Sequence, residues 1–194
     1  MQTSDDKELR DALKKLLCAD EFRMRLLQAV ESMRLPDCWI GAGFVRAAVW
    51  DHLHGPHMSA FDGDVDVVWF DRARSAEIDR AMEAALAAKE PSFRWSVKNQ
   101  TWMHVRNGEL PYESTEDAVR RWPKTATTIA VRLSRSELEI LAPFGLSDLF
   151  SMIVRPTPAF VGDKFPFFIE RVRNKRWLER WPILNLAEVT GRPE

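Results

Sequence analysis

Apolar residues recur at helical spacing from the start of the chain. Leu9, Leu13, Leu16 and Leu17 share one face, and Phe22, Leu26, Val30 and Met33 share the next. This predicts two amphipathic helices, with Ser4 and Asp20 as N-caps and Pro36 as the stop of the second. Cys38-Trp39-Ile40 then reads as a short buried strand that halts at Gly41-Ala42-Gly43. Residues 44–54 return to the helical pattern, with Val45, Val49 and Leu53 aligned, until Gly55-Pro56 opens a polar loop running to Gly63. Residues 64–70 (DVDVVWF) first alternate and then turn wholly apolar, which predicts a strand with a buried end.

Ser75 is the expected cap of an amphipathic helix carrying Ile78, Met82, Ala85 and Leu86. A strand is expected over 93–98, followed by a turn-rich connection over 99–112. Ser114 with Asp117 opens a short helix that ends at Trp122-Pro123. Two runs, 127–133 and 138–141, flank Ser134-Arg135-Ser136 and predict a hairpin. Ser147 begins a short helix stopped by Pro156 and Pro158, and a last basic-aromatic helix is expected over 167–181. Helices alternating with strands and closing on a hairpin give an α/β (α+β) class with a small mixed sheet. The expected organisation is a single domain overall: an N-terminal helical segment over 1–35, a core over 36–160 and a C-terminal helical extension over 161–194 packed on it.

Composition narrows this picture only a little. An apolar share of 45% in 194 residues suits a globular chain with a real core. With 28 basic against 29 acidic residues, the chain lacks the excess expected of a protein that coats nucleic acid, so strong double-stranded DNA binding is not expected. Cys18 and Cys38 are too few and too far apart for a disulfide framework or a zinc site, and are read as reduced, buried thiols. The N-terminus is charged, without the apolar core of a signal peptide, and no run approaches the roughly 20 apolar residues of a membrane span. A cytoplasmic protein is expected.

The chemistry concentrates in WIGAGFVRAAVWDHLHG and DGDVDVVWFD. A strand that runs into Gly-Ala-Gly and straight into a helix brings unpaired backbone N–H groups close to an anion, a phosphate-shaped feature but a weak one alone. Asp64 and Asp66 lie two apart on a strand, so both carboxylates leave the same face, roughly 7 Å apart along the chain. Such a pair repels itself unless a cation stands between, and an oxygen-liganded Mg²⁺ or Mn²⁺ bridging to phosphates answers the need. For an isolated Asp-X-Asp the plain reading is solvated turn acids, which also covers Asp62. Here the glycine turn, the helix and the paired acids come in the order that a metal-dependent nucleotide site requires.

On these segments the chain resembles the nucleotidyltransferase superfamily, whose motif joins an apolar residue and small glycine-rich positions to a later Asp-apolar-acid-apolar run. More narrowly, it is similar to small bacterial nucleotidyltransferase-like proteins of uncharacterised substrate, over WSVKNQ, NGELPYESTEDAVRRWPKTAT, LEILAPFGLSDLF and IVRPTP as well. The resemblance implies a mixed sheet flanked by helices, with Gly41, Ala42, Gly43 and Phe44 cradling the triphosphate of an NTP and Asp64 and Asp66 as catalytic metal ligands. It implies a third carboxylate on a later strand. Glu139 is the candidate there, against the plain reading of an exposed strand acid beside Arg135, and Asp117 and Asp148 are weaker ones. Arg46, Lys98 and Asn99 are further candidates for nucleotide contact. Three departures stand out: the long stretch between Gly43 and Asp64; the Gly-Ala-Gly spacing, which leaves Gly41 and Gly43 both open as the key contact; and Ala47, Thr101 and Trp102, where relatives tend to carry Asn, Ala and Arg.

The implied activity is metal-dependent transfer of a nucleoside monophosphate from an NTP to a hydroxyl of a small molecule, an RNA end or a protein. The alternative is a catalytically inactive nucleotide-binding or interaction protein that kept the fold but lost turnover. His52, His54 and His57 read as loop and packing residues rather than a metal site, and His104 as a residue near the site that could orient an acceptor. Trp39, Trp50 and Trp69 fall on apolar faces and read as core, leaving Trp102 and Trp122 as candidates for base or acceptor contact. The tail ERVRNKRWLERW could hold an RNA backbone or a partner, but is better read as a capping helix that packs Val172, Trp177 and Leu178.

Overall fold

The computed structural model describes residues 4–55, 61 and 63–187; His57 and Asp62 lie outside them. Two helices open the chain, α1 (Ser4–Cys18) and α2 (Glu21–Glu31). Leu13, Leu17, Leu26, Leu27 and Val30 are buried, as the periodicity requires. Asp20 caps α2, accepting a hydrogen bond from the Arg23 N–H at 3.0 Å. Ser4 is the first helical residue rather than a cap, and α2 stops well before Pro36. Arg34 and Asp37, both at positive φ, turn the chain into β1 (Trp39–Gly41). Cys18 is exposed, against expectation, and burial pushes the Cys38 thiol up to about 12.

Next come α3 (Gly43–His54), β2 (Val65–Trp69), α4 (Glu77–Lys89) and β3 (Trp95–Asn99). The side chain of Ser75 does not cap α4, which starts two residues later behind Ala76. The connection read as turn-rich contains a 3₁₀ turn over Gln100–Trp102 and the helix α5 (Met103–Asn107), ended by Gly108 in the left-handed conformation. α6 (Thr115–Arg120) carries the expected reciprocal cap: Ser114 Oγ accepts from the Asp117 N–H and Asp117 Oδ2 from the Glu113 N–H, both at 3.1 Å. β4 (Ala130–Ser134) and β5 (Glu137–Leu141) form the predicted hairpin, and Arg135 and Ser136 both take positive φ, as a two-residue primed turn demands.

The rest is α7 (Ser147–Phe150), β6 (Ile153–Val154), α8 (Phe165–Asn174), α9 (Trp177–Arg180) and β7 (Asn185–Leu186). The single last helix expected from the sequence is thus two, because Arg176 enters the left-handed region at φ 49° and breaks the spiral. Among the described residues, no helix is long and apolar enough to cross a membrane.

The main sheet runs β3-β2-β1-β4-β5; β2 and β3 are parallel, and the other neighbours antiparallel. This is the mixed sheet flanked by helices that the pattern predicts. Strand parity splits its residues between two faces. Ile40, Val65, Val67, Val97 and Val131 join the larger core with residues of α1, α2, α3 and α8. On the other face Trp39, Val68, Ala130 and Leu141 pack with Val119 and, partly buried, Trp122. Asp66 is on this second face, opposite Gly41 on one side and Ser96 on the other.

Candidate functional site

A cleft of about 400 Å³ opens where β1 hands over to α3. Its floor comes from β2 and β3, and its walls from the start of α3, α5, the segment 122–127 and the end of α8. Asp64 and Asp66 both line it. Asp64, just ahead of β2, is half exposed and paired with Arg94, whose Nε lies 2.7 Å from its Oδ1. Asp66 lies deeper. Desolvation first, and then the neighbouring Asp64 charge, push its carboxyl up to about 6. Lys175, Arg46 and a hydrogen bond from Ser96 pull the other way without cancelling that.

The opposite side of the cleft is cationic. Arg46 in the first turn of α3, Lys124, Arg171 on α8 and Lys175 just beyond it all line it. Lys124 is buried, and its ammonium is pushed down to about 7, chiefly by burial and then by Arg171, Arg46 and Lys175. Its Nζ lies over the Trp177 ring at 4.7 Å. The Arg46 guanidinium is 4.5 Å from the same ring, with Trp181 at 5.0 Å and Trp50 at 5.4 Å. Two carboxylates and four cations around one cleft could accept a polyanion accompanied by a divalent ion. The donor set suits that ion: two carboxylates, one desolvated, with room for phosphate oxygens to complete an oxygen shell. Among the described residues no group of three or more His, Cys, Asp or Glu side chains is poised to hold a metal unaided.

The residues singled out in the sequence divide clearly. Asp64, Asp66, Ala42, Gly43, Arg46 and Lys98 all reach the cleft. Lys98 is held at its rim by Glu83, at 3.4 Å. Gly41 lies beneath Trp122, whose ring forms part of the wall. Phe44 does not line the cleft: its side chain is fully buried against Phe61 with Arg23 stacked over it, and its carbonyl accepts from Arg23 Nε at 3.3 Å. Asn99 points to the other face of the sheet, where its amide oxygen accepts from the Asp71 and Thr101 N–H groups and its nitrogen donates to the Asp71 carbonyl.

The third-carboxylate candidates do not reach the cleft. Glu139 is on β5, three strands from β2 and so roughly 14 Å across the sheet, where it pairs with Arg132 at 2.6 Å. Asp117 is spent on the α6 cap and Arg121, and Asp148 on Thr125 and Arg155. His54 bonds the Trp50 carbonyl through Nδ1 and the Ile183 N–H through Nε2, a packing role. His104 is held by the Thr101 carbonyl and the Tyr112 ring. Trp39, Trp50 and Trp69 are core, Trp122 lines the cleft and Trp102 is exposed.

Lys124, Arg171 and Lys175 were invisible as site residues in the sequence. The one signal for Arg171 and Lys175 was the basic face of the tail, and Lys124 had none. Arg171 is on a helix that buries Phe168 and Val172, and Lys175 is that helix's C-cap one turn later, still in the right-handed region, so the two share a face, and that face meets the cleft. The tail therefore packs, as expected, through Val172 and Trp177, while Leu178 is exposed.

The sequence matches a family model described as nucleotidyltransferase over residues 28–186. No protein of curated function matches it. A solved structure described as revealing a CCA-adding enzyme head domain is 31% identical, with a TM-score of 0.81, over 91% of this chain and 95% of that one. An apo CCA-adding enzyme (18% identity, TM-score 0.57) matches 92% of this chain but only 43% of its own length. The Thermotoga maritima CCA-adding enzyme complexed with tRNA (15% identity, TM-score 0.56) likewise matches over 92% and 43%, and with both of these the fold alone is shared. A family match across most of the chain, together with a close structural relative of the same extent, shows that the chain belongs to the nucleotidyltransferase family.

Proposed function

We propose that this protein transfers a nucleoside monophosphate from an NTP to an acceptor hydroxyl, with a Mg²⁺ or Mn²⁺ ion held by Asp64 and Asp66. The observation that carries the reading is the opposition, across one cleft, of a desolvated Asp66 beside Asp64 to Arg46, Lys124, Arg171 and Lys175. The four cations bind the phosphate chain, and Gly43 lets the start of α3 come close to it. Held by Asp64 and Asp66, such an ion would neutralise charge on the α-phosphate and lower the pKa of the attacking hydroxyl, whose proton would pass to water. The acceptor oxygen bonds to the α-phosphorus, the bond from that phosphorus to the bridging oxygen breaks, and pyrophosphate leaves toward Lys124 and Arg171.

Acceptors to offer are small molecules, protein hydroxyls and RNA ends, the last because the fold is shared with a CCA-adding enzyme complexed with tRNA. The free thiols of Cys18 and Cys38 support a reducing cytoplasm as the working compartment. The test is Mg²⁺-dependent release of pyrophosphate from each NTP with each acceptor class, in wild type and in Asp64→Asn and Asp66→Asn. Release by wild type and its loss in both variants supports the reading; equal release by the variants sinks it.

A second reading, nucleotide binding without turnover, is favoured by one observation: Glu139, Asp117 and Asp148 are all committed elsewhere, so among the described residues no third carboxylate joins the pair. Tight Mg²⁺-ATP binding with no pyrophosphate released in any mixture would decide for it.

A further inference from the structure

We infer that Trp177 is a positioning residue of the cleft: its indole carries Arg46 and Lys124 together and sets where both cations meet the phosphates. The inference rests on the nucleotidyltransferase reading above.

Two cations share this one ring, at 4.5 and 4.7 Å from its centroid. Both distances are inside the roughly 6 Å over which a ring face attracts a cation. Two cations this close repel one another, and burial makes it worse by removing water from Lys124. The indole face supplies the partial negative charge that lets them stay. The two depend on it unequally. Arg46 also has the rings of Trp50 and Trp181, whereas Trp177 is the only ring described over Lys124.

The ring is itself fixed. It is buried and meets Trp50 edge to face at 5.4 Å, and the Trp50 indole N–H donates to the Leu149 carbonyl at 3.0 Å. What delivers it is the break at Arg176. An unbroken helix would turn position 177 about 200° from Lys175 and off the face shared with Arg171. Beyond the left-handed Arg176 the Trp177 indole instead lines the cleft beside Arg46 and Lys124. The same break leaves Arg171 and Lys175 at the cleft edge, so α8, the turn and Trp177 act as one wall.

The test is calorimetric binding of inorganic tripolyphosphate, with a chelator present, to the whole chain and to Trp177→Phe, Trp177→Leu, Lys124→Met and the Leu/Met double variant. The pH is set below the Lys124 value of about 7 so that the ammonium is charged. Trp177→Leu is expected to weaken binding about tenfold, and Trp177→Phe, which keeps a smaller face, about threefold. The double variant should bind little worse than Lys124→Met alone, because the ring acts through the lysine. A merely structural tryptophan would lower the melting temperature, leave affinity within about twofold and give losses that multiply in the double variant; that result overturns the inference. If Trp177→Leu does not fold, the Phe variant and its own double with Lys124→Met decide by the same criteria. Failure of the wild type to bind tripolyphosphate overturns the phosphate cleft itself, and this inference with it, whereas wild-type binding with indifferent Trp177 variants overturns the inference alone.

Discussion

Trp122 lies on Gly41: a Cβ added at position 41 would stand 2.6 Å from Cη2 of the indole and 3.0 Å from Cζ3. Gly41 is opposite Asp66 in the sheet, so the ring it admits packs beside the strand that carries Asp66 and walls the cleft. Gly41→Ala must push that ring outward, and is expected to cost about 1–3 kcal/mol, the usual penalty of overpacking. It should also weaken nucleotide binding by crowding the cleft. Gly43 is different, because a Cβ there meets only Arg46 Nη2, at an ordinary 3.7 Å. Gly43→Ala should leave stability unchanged or raise it by up to about 1 kcal/mol, since alanine is the better helix former. Thermal melts of the two variants, with ATP titrations, check the contrast, and equal losses would contradict it.

Periodicity found the opening helices, the hairpin and the strands of the main sheet, because each buries a face with its own period. Asp64 and Asp66 were legible because their spacing is local. Lys98 and Asn99 are adjacent, but their fates differ by strand parity: Lys98 pairs in register with Val68 on the cleft face, and Asn99 with Trp69 on the core face. Glu139 had the right residue type on a strand, yet sheet order puts two strands between its own and that of Asp66. Sequence alone does not give that order. Lys124, Arg171 and Lys175 are cleft residues only because chain segments far apart in sequence converge, and local patterns carry no trace of such convergence.

Asp66 makes stability depend on pH in a predictable direction. Its carboxyl titrates at about 6 in the folded chain, against 3.8 ordinarily, so the folded state holds the proton to higher pH than the unfolded state does. Stability therefore falls as pH rises through that window, and the whole penalty is present above it. Asp66→Asn removes it. The variant should be more stable than wild type at alkaline pH, by about 1–3 kcal/mol, and no more stable below the ordinary aspartate range. Denaturant melts across pH test this, and a variant less stable at every pH would contradict it. The same carboxylate must lose its proton to ligate a metal, so manganese binding near pH 6 should release protons, and the release should vanish in the variant.

Ala42 is the one residue of the Gly-Ala-Gly turn held where alanine does not belong, at φ 52° and ψ −114°. Its N–H donates to the Ile129 carbonyl and its carbonyl accepts from the Arg46 N–H, both at 3.1 Å, so hydrogen bonds on each side fix the strained conformation. Such a residue stores about 1–3 kcal/mol. Ala42→Gly relieves the strain but adds freedom to the unfolded chain, which returns about 0.4–1 kcal/mol. A net gain of about 1 kcal/mol is expected, or a melting temperature higher by about 2–4 °C for a chain of this size. A lower melting temperature would show that the backbone at 42 is not strained.

Lys124 couples polyphosphate binding to protons. Its ammonium titrates at about 7 in the folded chain instead of 10.5, so between those values the unfolded chain holds more protons, and stability rises with pH across the interval. A phosphate chain beside Lys124 favours the charged form and draws its value back up. Binding of ATP or tripolyphosphate at about pH 8 should therefore take up a proton, seen as a dependence of the calorimetric heat on the ionisation enthalpy of the buffer. The groups facing Lys124 are Arg46 from α3 and Arg171 and Lys175 from the end of α8, and each lowers its value. Arg171→Gln should accordingly shift the pH of half-maximal uptake upward, because one repelling charge is gone. Lys124→Met should abolish the uptake, bind less tightly near neutrality and be more stable than wild type at pH below 7, where the charged amine costs most. Uptake that persists unchanged in Lys124→Met would assign the proton to another group, such as the terminal phosphate of the ligand itself.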